Sequence, residues 1–190
     1  MDQKTLEHIV KHEGFEKAAE ISTDDLVFVP EYRKFCEENA CGNYNKNYAC
    51  PPYSGTPKEM KQRVLAYRRC IVFQSKTPVK DAFDNAEMKK LKRKHTQMTL
   101  QAMKELKTDG MDMDGFPIMC GPCNFCEECM MPSGKPCVKE SMRFSCLSAY
   151  CIDVGKLAES CNMEIQWSGN EVYYFSIYVF DKKDKSGEIR

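Results

Sequence analysis

A chain of 190 residues is long enough to bury one core and short for two. Its 28 lysines and arginines balance its 28 aspartates and glutamates, so no whole-chain basic field draws it to nucleic acid or to an anionic membrane. Twelve cysteines stand out. The opening MDQKTLEHIVKHEGF has no apolar leader and no run of about eighteen apolar residues follows, so a cytoplasmic protein is expected, whose thiols stay reduced and serve as metal ligands or small buried hydrophobes rather than disulfides.

Taken in order, residues 2–20 read as helix in two pieces, with Leu6, Ile9 and Val10 forming a stripe, Gly14 interrupting, and Phe15, Ala18 and Ala19 resuming it. His8 and His12 have the spacing of a metal pair, but no third ligand is nearby in sequence, and they read as surface residues. Residues 25–30 read as a strand closed by Pro30. The first cysteine box follows, with Cys36, Cys41 and Cys50 in a loop dense in Gly, Asn and Pro. Gly42, Asn43 and Asn45 tolerate left-handed backbone, and Pro51 and Pro52 stiffen the exit. Three buried free cysteines in a turn are the alternative to a metal loop.

Pro57 to Tyr67 reads as a helix with Thr56 as N-cap, and Arg69 to Gln74 as a strand in which Cys70 is a small hydrophobe and a reserve ligand. Asp81 to Lys107 is a long helix, with Phe83, Ala86, Leu91, Met98, Ala102, Met103 and Leu106 at threes, fours and their sums. The basic stretch from Lys89 to His95 reads as its solvated face, since no aromatic residues interleave for base stacking. Residues 108–119 form a turn delivering the chain to the second box, MCGPCNFCEECMMPSGKPC, which holds Cys120, Cys123, Cys126, Cys129 and Cys137. Beyond it, residues 141–154 lead into a helix carrying Val154, Leu157, Ala158 and Cys161. Strands over 163–167 and 172–180, joined by a hairpin turn at 168–170, complete the core, and 181–190 is a charged, disordered tail.

Zinc modules usually hold two cysteine pairs a dozen or more residues apart, whereas a triplet at three-residue intervals suits a cubane whose irons each take one thiolate. Cys123, Cys126 and Cys129 therefore point to a 4Fe-4S cluster, with zinc as the alternative. Such a triplet takes its fourth ligand from further away; Cys137 is the nearest candidate and Cys120 the reserve. Lent instead to the first box, Cys120 makes a set with Cys36, Cys41 and Cys50. Without it that box offers three thiolates and one open iron.

Phe35-Cys36, Asn39 to Tyr44, Cys50-Pro51-Pro52 and Gly55-Thr56, then Gly121-Pro122-Cys123, Cys126, Cys129, Gly134 to Cys137 and Ala149 to Val154, together resemble a family of uncharacterised, predicted metal-binding proteins of anaerobic bacteria and archaea, a domain of unknown function. The resemblance implies one motif of Cys36, Cys41 and Cys50 and another of Cys123, Cys126, Cys129 and Cys137. Tyr48 stands where many members have Trp, Val138 where Arg is common and Cys151 where Gly is usual; Cys120, Cys146 and Cys151 look particular to this chain.

The expectation is a single α+β domain over 1–180: a small, mainly antiparallel sheet of four strands, helices on one face, and both cysteine boxes gathered at one end. It binds one or two 4Fe-4S clusters and exchanges electrons with a redox partner protein. An enzyme with an open-site cluster acting on a small-molecule substrate and a structural zinc module are the alternatives. No Ser-His-Asp triad, phosphate loop or dinucleotide fingerprint is present, and neither nucleic acid nor a membrane is expected as a partner.

Overall fold

Four antiparallel strands carry the architecture. β1 (Lys17–Ser22), β2 (Tyr67–Pro78), β3 (Phe116–Ile118) and β4 (Glu171–Lys182) lie in the spatial order β1-β2-β4-β3, in a computed structural model that describes residues 3–112, 114–166 and 170–183. β2 and β4 pair along their whole length, from Tyr67 opposite Lys182 to Pro78 opposite Glu171.

The side chains of these two strands alternate between faces, and both faces are buried. Cys70, Val72, Phe175, Ile177 and Val179 meet Met60 and Val64 of α3 (Pro57–Leu65) and Leu157 and Ala158 of α5 (Val154–Ser160). Ile71, Phe73, Tyr178 and Phe180 meet Leu6 and Ile9 of α1 (Gln3–Glu13) and Met98, Ala102 and Leu106 of α4 (Asn85–Thr108). The fold is α+β with a four-stranded antiparallel sheet, as expected, but helices cover both faces rather than one. The unbroken apolar run Cys70-Ile71-Val72-Phe73 is what a strand covered on both sides requires.

Two of the expected strands are correct in place, and two are not. Residues 17–22 form β1 rather than a second helical piece: Gly14 ends α1 with φ +78°, after which Ala18 packs on one face of the sheet and Ala19 on the other, a period of two. Residues 25–30 are not a strand. Thr23–Asp25 and Pro30–Tyr32 are short 3-10 turns, and between them only Phe28 pairs, with Ile152. Residues 163–166 pair with no strand among the described residues; Trp167 and most of the expected hairpin turn lie outside them. The fourth strand is instead β3, inside the segment expected to be a turn. It docks closely enough that a Cβ on Gly115 would lie 1.6 Å from the Val179 carbonyl oxygen, so only glycine fits there.

The helix ends follow their caps. The Thr56 hydroxyl accepts from the Glu59 amide at 3.3 Å, and the Glu59 carboxylate accepts from the Thr56 amide at 2.8 Å. Asp84 accepts from the amides of Ala86 and Glu87, which starts α4 four residues later than expected. β4 runs into the charged tail as far as Lys182, and Asp181 pairs with Arg68 and Arg69; residues 184–190 lie outside the described ones. Among the described residues no helix is long and apolar enough to cross a membrane.

Candidate metal centre

The first cysteine loop leaves α2 (Arg33–Glu37), which carries Cys36. Asn39, Gly42 and Asn45 then take left-handed backbone, the conformation that Asn and Gly tolerate best; Asn43, expected among them, does not. The Asn39 side chain accepts from the Tyr44 amide at 2.9 Å, and the loop leaves Cys41 exposed and Cys50 buried.

The second loop, with Cys123, Cys126, Cys129 and Cys137 all half-buried, is fastened to the first. Asn47 Nδ2 donates to the Cys123 carbonyl at 2.9 Å, and the Tyr48 hydroxyl donates to the Lys135 carbonyl at 2.8 Å. Within the second loop, Lys139 Nζ donates to the Phe125 carbonyl at 2.8 Å. Cys41, Cys123, Cys126, Cys129 and Cys137 consequently line one cavity of 440 Å³.

Mutual charge effects show which thiols are neighbours. Burial pushes the Cys36 thiol up to about 11, and the next largest influence is Cys146, followed after Arg33 by Cys151 and Cys41. Cys50 is also raised by burial, then by Cys146, Cys41 and Cys36, and after them by Cys123 of the second loop. Cys123 is raised by burial and by Cys137, Cys126 and Cys129, against the opposing Phe125 amide. We call Cys36, Cys41, Cys50 and Cys146 the first group and Cys123, Cys126, Cys129 and Cys137 the second; the two adjoin, since Cys123 acts on Cys50, and Cys151 also acts on Cys36.

Cys146 is the residue that sequence reasoning set aside. It is delivered by backbone pairing directly after β3, where the Met119 amide donates to the Ser145 carbonyl at 2.9 Å and the Leu147 amide to the Met119 carbonyl at 3.0 Å. In the following turn Cys36 Sγ donates to the Ser148 carbonyl at 3.9 Å. Burial raises the Cys146 thiol, while the amides of Ala149 and Ser148 point at its sulfur and lower it. Amides two and three residues beyond a cysteine stabilise thiolate, and hydrogen bonds to sulfur tune a bound metal.

The remaining cysteines are less closely tied to these groups, although Cys151 acts on Cys36 and Cys146 acts weakly on Cys120. Cys120 Sγ donates to the Lys92 carbonyl at 3.4 Å, and burial pushes its thiol up to about 11. Cys70 is wholly buried in the core beside Cys161. Cys151 has φ +56°, which gives a physical reason for the glycine usual at that position. His95, between the Ser75 and Ser176 hydroxyls at 2.7 and 3.0 Å, is held neutral by burial, which pulls its pKa down to about 3; it is a core hydrogen-bond network rather than a nucleophile's base.

Three observations test what the two groups can hold. Among the described residues no three cysteine sulfurs lie within 4.8 Å of one another, whereas a tetrahedral zinc ion with Zn–S near 2.3 Å places its thiolates about 3.8 Å apart. A cluster in which each metal takes one thiolate spreads its ligands more widely. The cavity is lined by Lys46, Lys89, Lys92, Arg93, Lys139 and Arg143 against Glu127 alone among acids, although the whole chain is neutral. Finally, Arg33 is buried; its Nη2 donates to the Ala149 carbonyl at 2.9 Å, its Nε has no hydrogen-bond partner, and its charge favours thiolate at Cys36 and Cys151. Cations brought to buried thiols suit a centre that is anionic when loaded.

No curated protein and no solved structure matches the chain. Residues 19–180, which include all eight grouped cysteines, match the family described as "Predicted metal-binding protein (DUF2284)", and the chain belongs to that family.

Proposed function

We propose that the protein binds two 4Fe-4S clusters, one at Cys36, Cys41, Cys50 and Cys146 and one at Cys123, Cys126, Cys129 and Cys137, and relays single electrons to or from a partner protein. The observation that carries this reading is that the thiols of both loops and Cys146 are neighbours, with Cys41, Cys123, Cys126, Cys129 and Cys137 lining one cation-rimmed cavity and Cys146 standing next after burial among the influences on Cys36 and Cys50. When bound, each cluster supplies a one-electron redox couple. The chain's own part is to present thiolates, aim amides at them from Ser148, Ala149 and Phe125, and surround them with positive charge. Those features set redox potential through hydrogen bonding and burial.

A fourth thiolate beside Cys36, Cys41 and Cys50 favours a carrier over an open-site enzyme, because every metal corner then has a protein ligand. Twelve free thiols suit a reducing, cytoplasmic compartment. A redox partner with an acidic patch is the complement of the basic cavity rim.

Anaerobic purification followed by iron, zinc and acid-labile sulfide analysis, with electron paramagnetic resonance of the reduced protein, tests the reading. It predicts iron and sulfide in equal amounts and the signals of two interacting clusters. Zinc without labile sulfide would replace it with a structural metal module. A cluster whose signal alone changes when small anions are added would replace the carrier with an enzyme.

A further inference from the structure

A second group of side chains able to ligate a metal lies on the opposite part of α4. Lys92 lines the cysteine cavity, whereas Glu105 is thirteen residues further along the same helix, about 20 Å at the helical rise. There α1 packs against α4. His8 and His12 are one turn apart on α1, with rings stacked 5.6 Å between centroids and 11° between planes. One ligand atom from each of His8, His12 and Glu105 lies within 4.8 Å of the other two. The third ligand missing from the sequence neighbourhood of the histidines is supplied across the helix pair.

Two further observations point to a cation. Glu13 and Glu105 both reach His12 Nδ1, Glu13 at 3.3 Å and Glu105 at 2.5 Å, and two carboxylates crowded on one imidazole favour a cation there. Glu105 Oε2 is buried without a hydrogen-bond partner, although its Oε1 meets His12 Nδ1 at 2.5 Å. A carboxylate with one oxygen committed and the other orphaned has a lone pair to give.

We infer that His8, His12 and Glu105 form a binding site for one divalent transition ion of the zinc class, with Glu13 beside it. Two imidazoles and a carboxylate are a donor set that such ions accept, and three protein ligands leave a position for water. The ion takes the place of the proton shared between His12 and Glu105 and staples the N-terminal helix to α4. The site shares no residue with the two cysteine groups and stands whether or not those hold iron.

The chain has three histidines, so the test is local. Protein purified anaerobically, with whatever occupies its cysteines left in place, is labelled at histidine and titrated with Zn²⁺ while the imidazole resonances are followed by NMR. His8 and His12 are expected to shift together and saturate, while the buried His95 stays fixed and reports an intact fold. Zn²⁺ affinity, read from His8 alone in H12A and from His8 and His12 in E105Q, falls at least tenfold in both. Binding at the cysteines with no movement of His8 and His12 would overturn the inference. So would shifts in E105Q that saturate as tightly as in the unaltered chain, since the histidines would then bind without the carboxylate.

Discussion

The side chain of Asn47 donates a 2.9 Å hydrogen bond to the carbonyl oxygen of Cys123, so a residue of the first cysteine loop fixes the root of the second. Asn47 is buried and also accepts from the Ala49 amide at 2.9 Å, which holds its own loop in shape. With the Tyr48 hydroxyl on the Lys135 carbonyl, this side chain ties the two thiol groups together.

Replacing Asn47 with Ala leaves the Cys123 carbonyl and the Ala49 amide without their partners. Each buried polar group left unpaired costs about 1–3 kcal/mol. Denaturant unfolding of N47A is expected to show a loss of that order, and chelator is expected to strip metal from both groups faster than from the unaltered chain. Faster loss from neither group would mean that the loops do not depend on each other.

Arg33 brings a buried positive charge to Cys36 and Cys151. Arg33→Gln makes reduction of a neighbouring anionic centre harder and is expected to lower the midpoint potential of the Cys36 group by several tens of millivolts, where about 59 mV corresponds to a tenfold change for one electron. The Cys123 group, surrounded by other cations, is expected to move much less. A redox titration followed by electron paramagnetic resonance separates the two; equal shifts in both would remove Arg33 from its place beside the first group.

The cap of α3 titrates. The Thr56 amide and hydroxyl bonds hold the Glu59 carboxyl below its ordinary value of 4.5, so the folded state binds this proton less readily than the unfolded one. The stabilisation is complete above that ordinary value and disappears as pH falls through the depressed folded value. Glu59→Gln is expected to lower the thermal midpoint at pH 7 and to lose that difference from the unaltered chain progressively as pH falls below 4.5. A difference that persists unchanged in acid would show that the charge contributes nothing.

Much of this arrangement was legible in the residues. Thr56 and Pro57 announced the start of α3, and the apolar period of α4 and the run Cys70 to Phe73 announced their elements, because caps and side-chain periodicity are local. Lys17–Ser22 misled because two alanines suit helix and strand alike, and only pairing with β2 decides between them. β3 has three residues, one of them proline, and leaves no local trace. The gathering of Cys123, Cys126 and Cys129 in one loop could be read from spacing, and so could that of Cys36, Cys41 and Cys50 in another. Cys146 could not, because it reaches the first group through a single backbone bridge to Met119, almost a hundred residues after Cys50. Glu105 is hidden from His8 and His12 for the same reason: the packing of two helices distant in sequence brings them together.

The central claim is that Cys146, and not Cys120, completes the first group. Its most direct test is the iron and labile-sulfide content of anaerobically reconstituted C146A and C120A beside the unaltered chain. Two complete cubes hold about eight irons and eight sulfides per chain. C120A is expected to keep that content and C146A to fall toward about half of it, with the Cys123 group's signal intact. Loss in C120A with full retention in C146A would contradict the account.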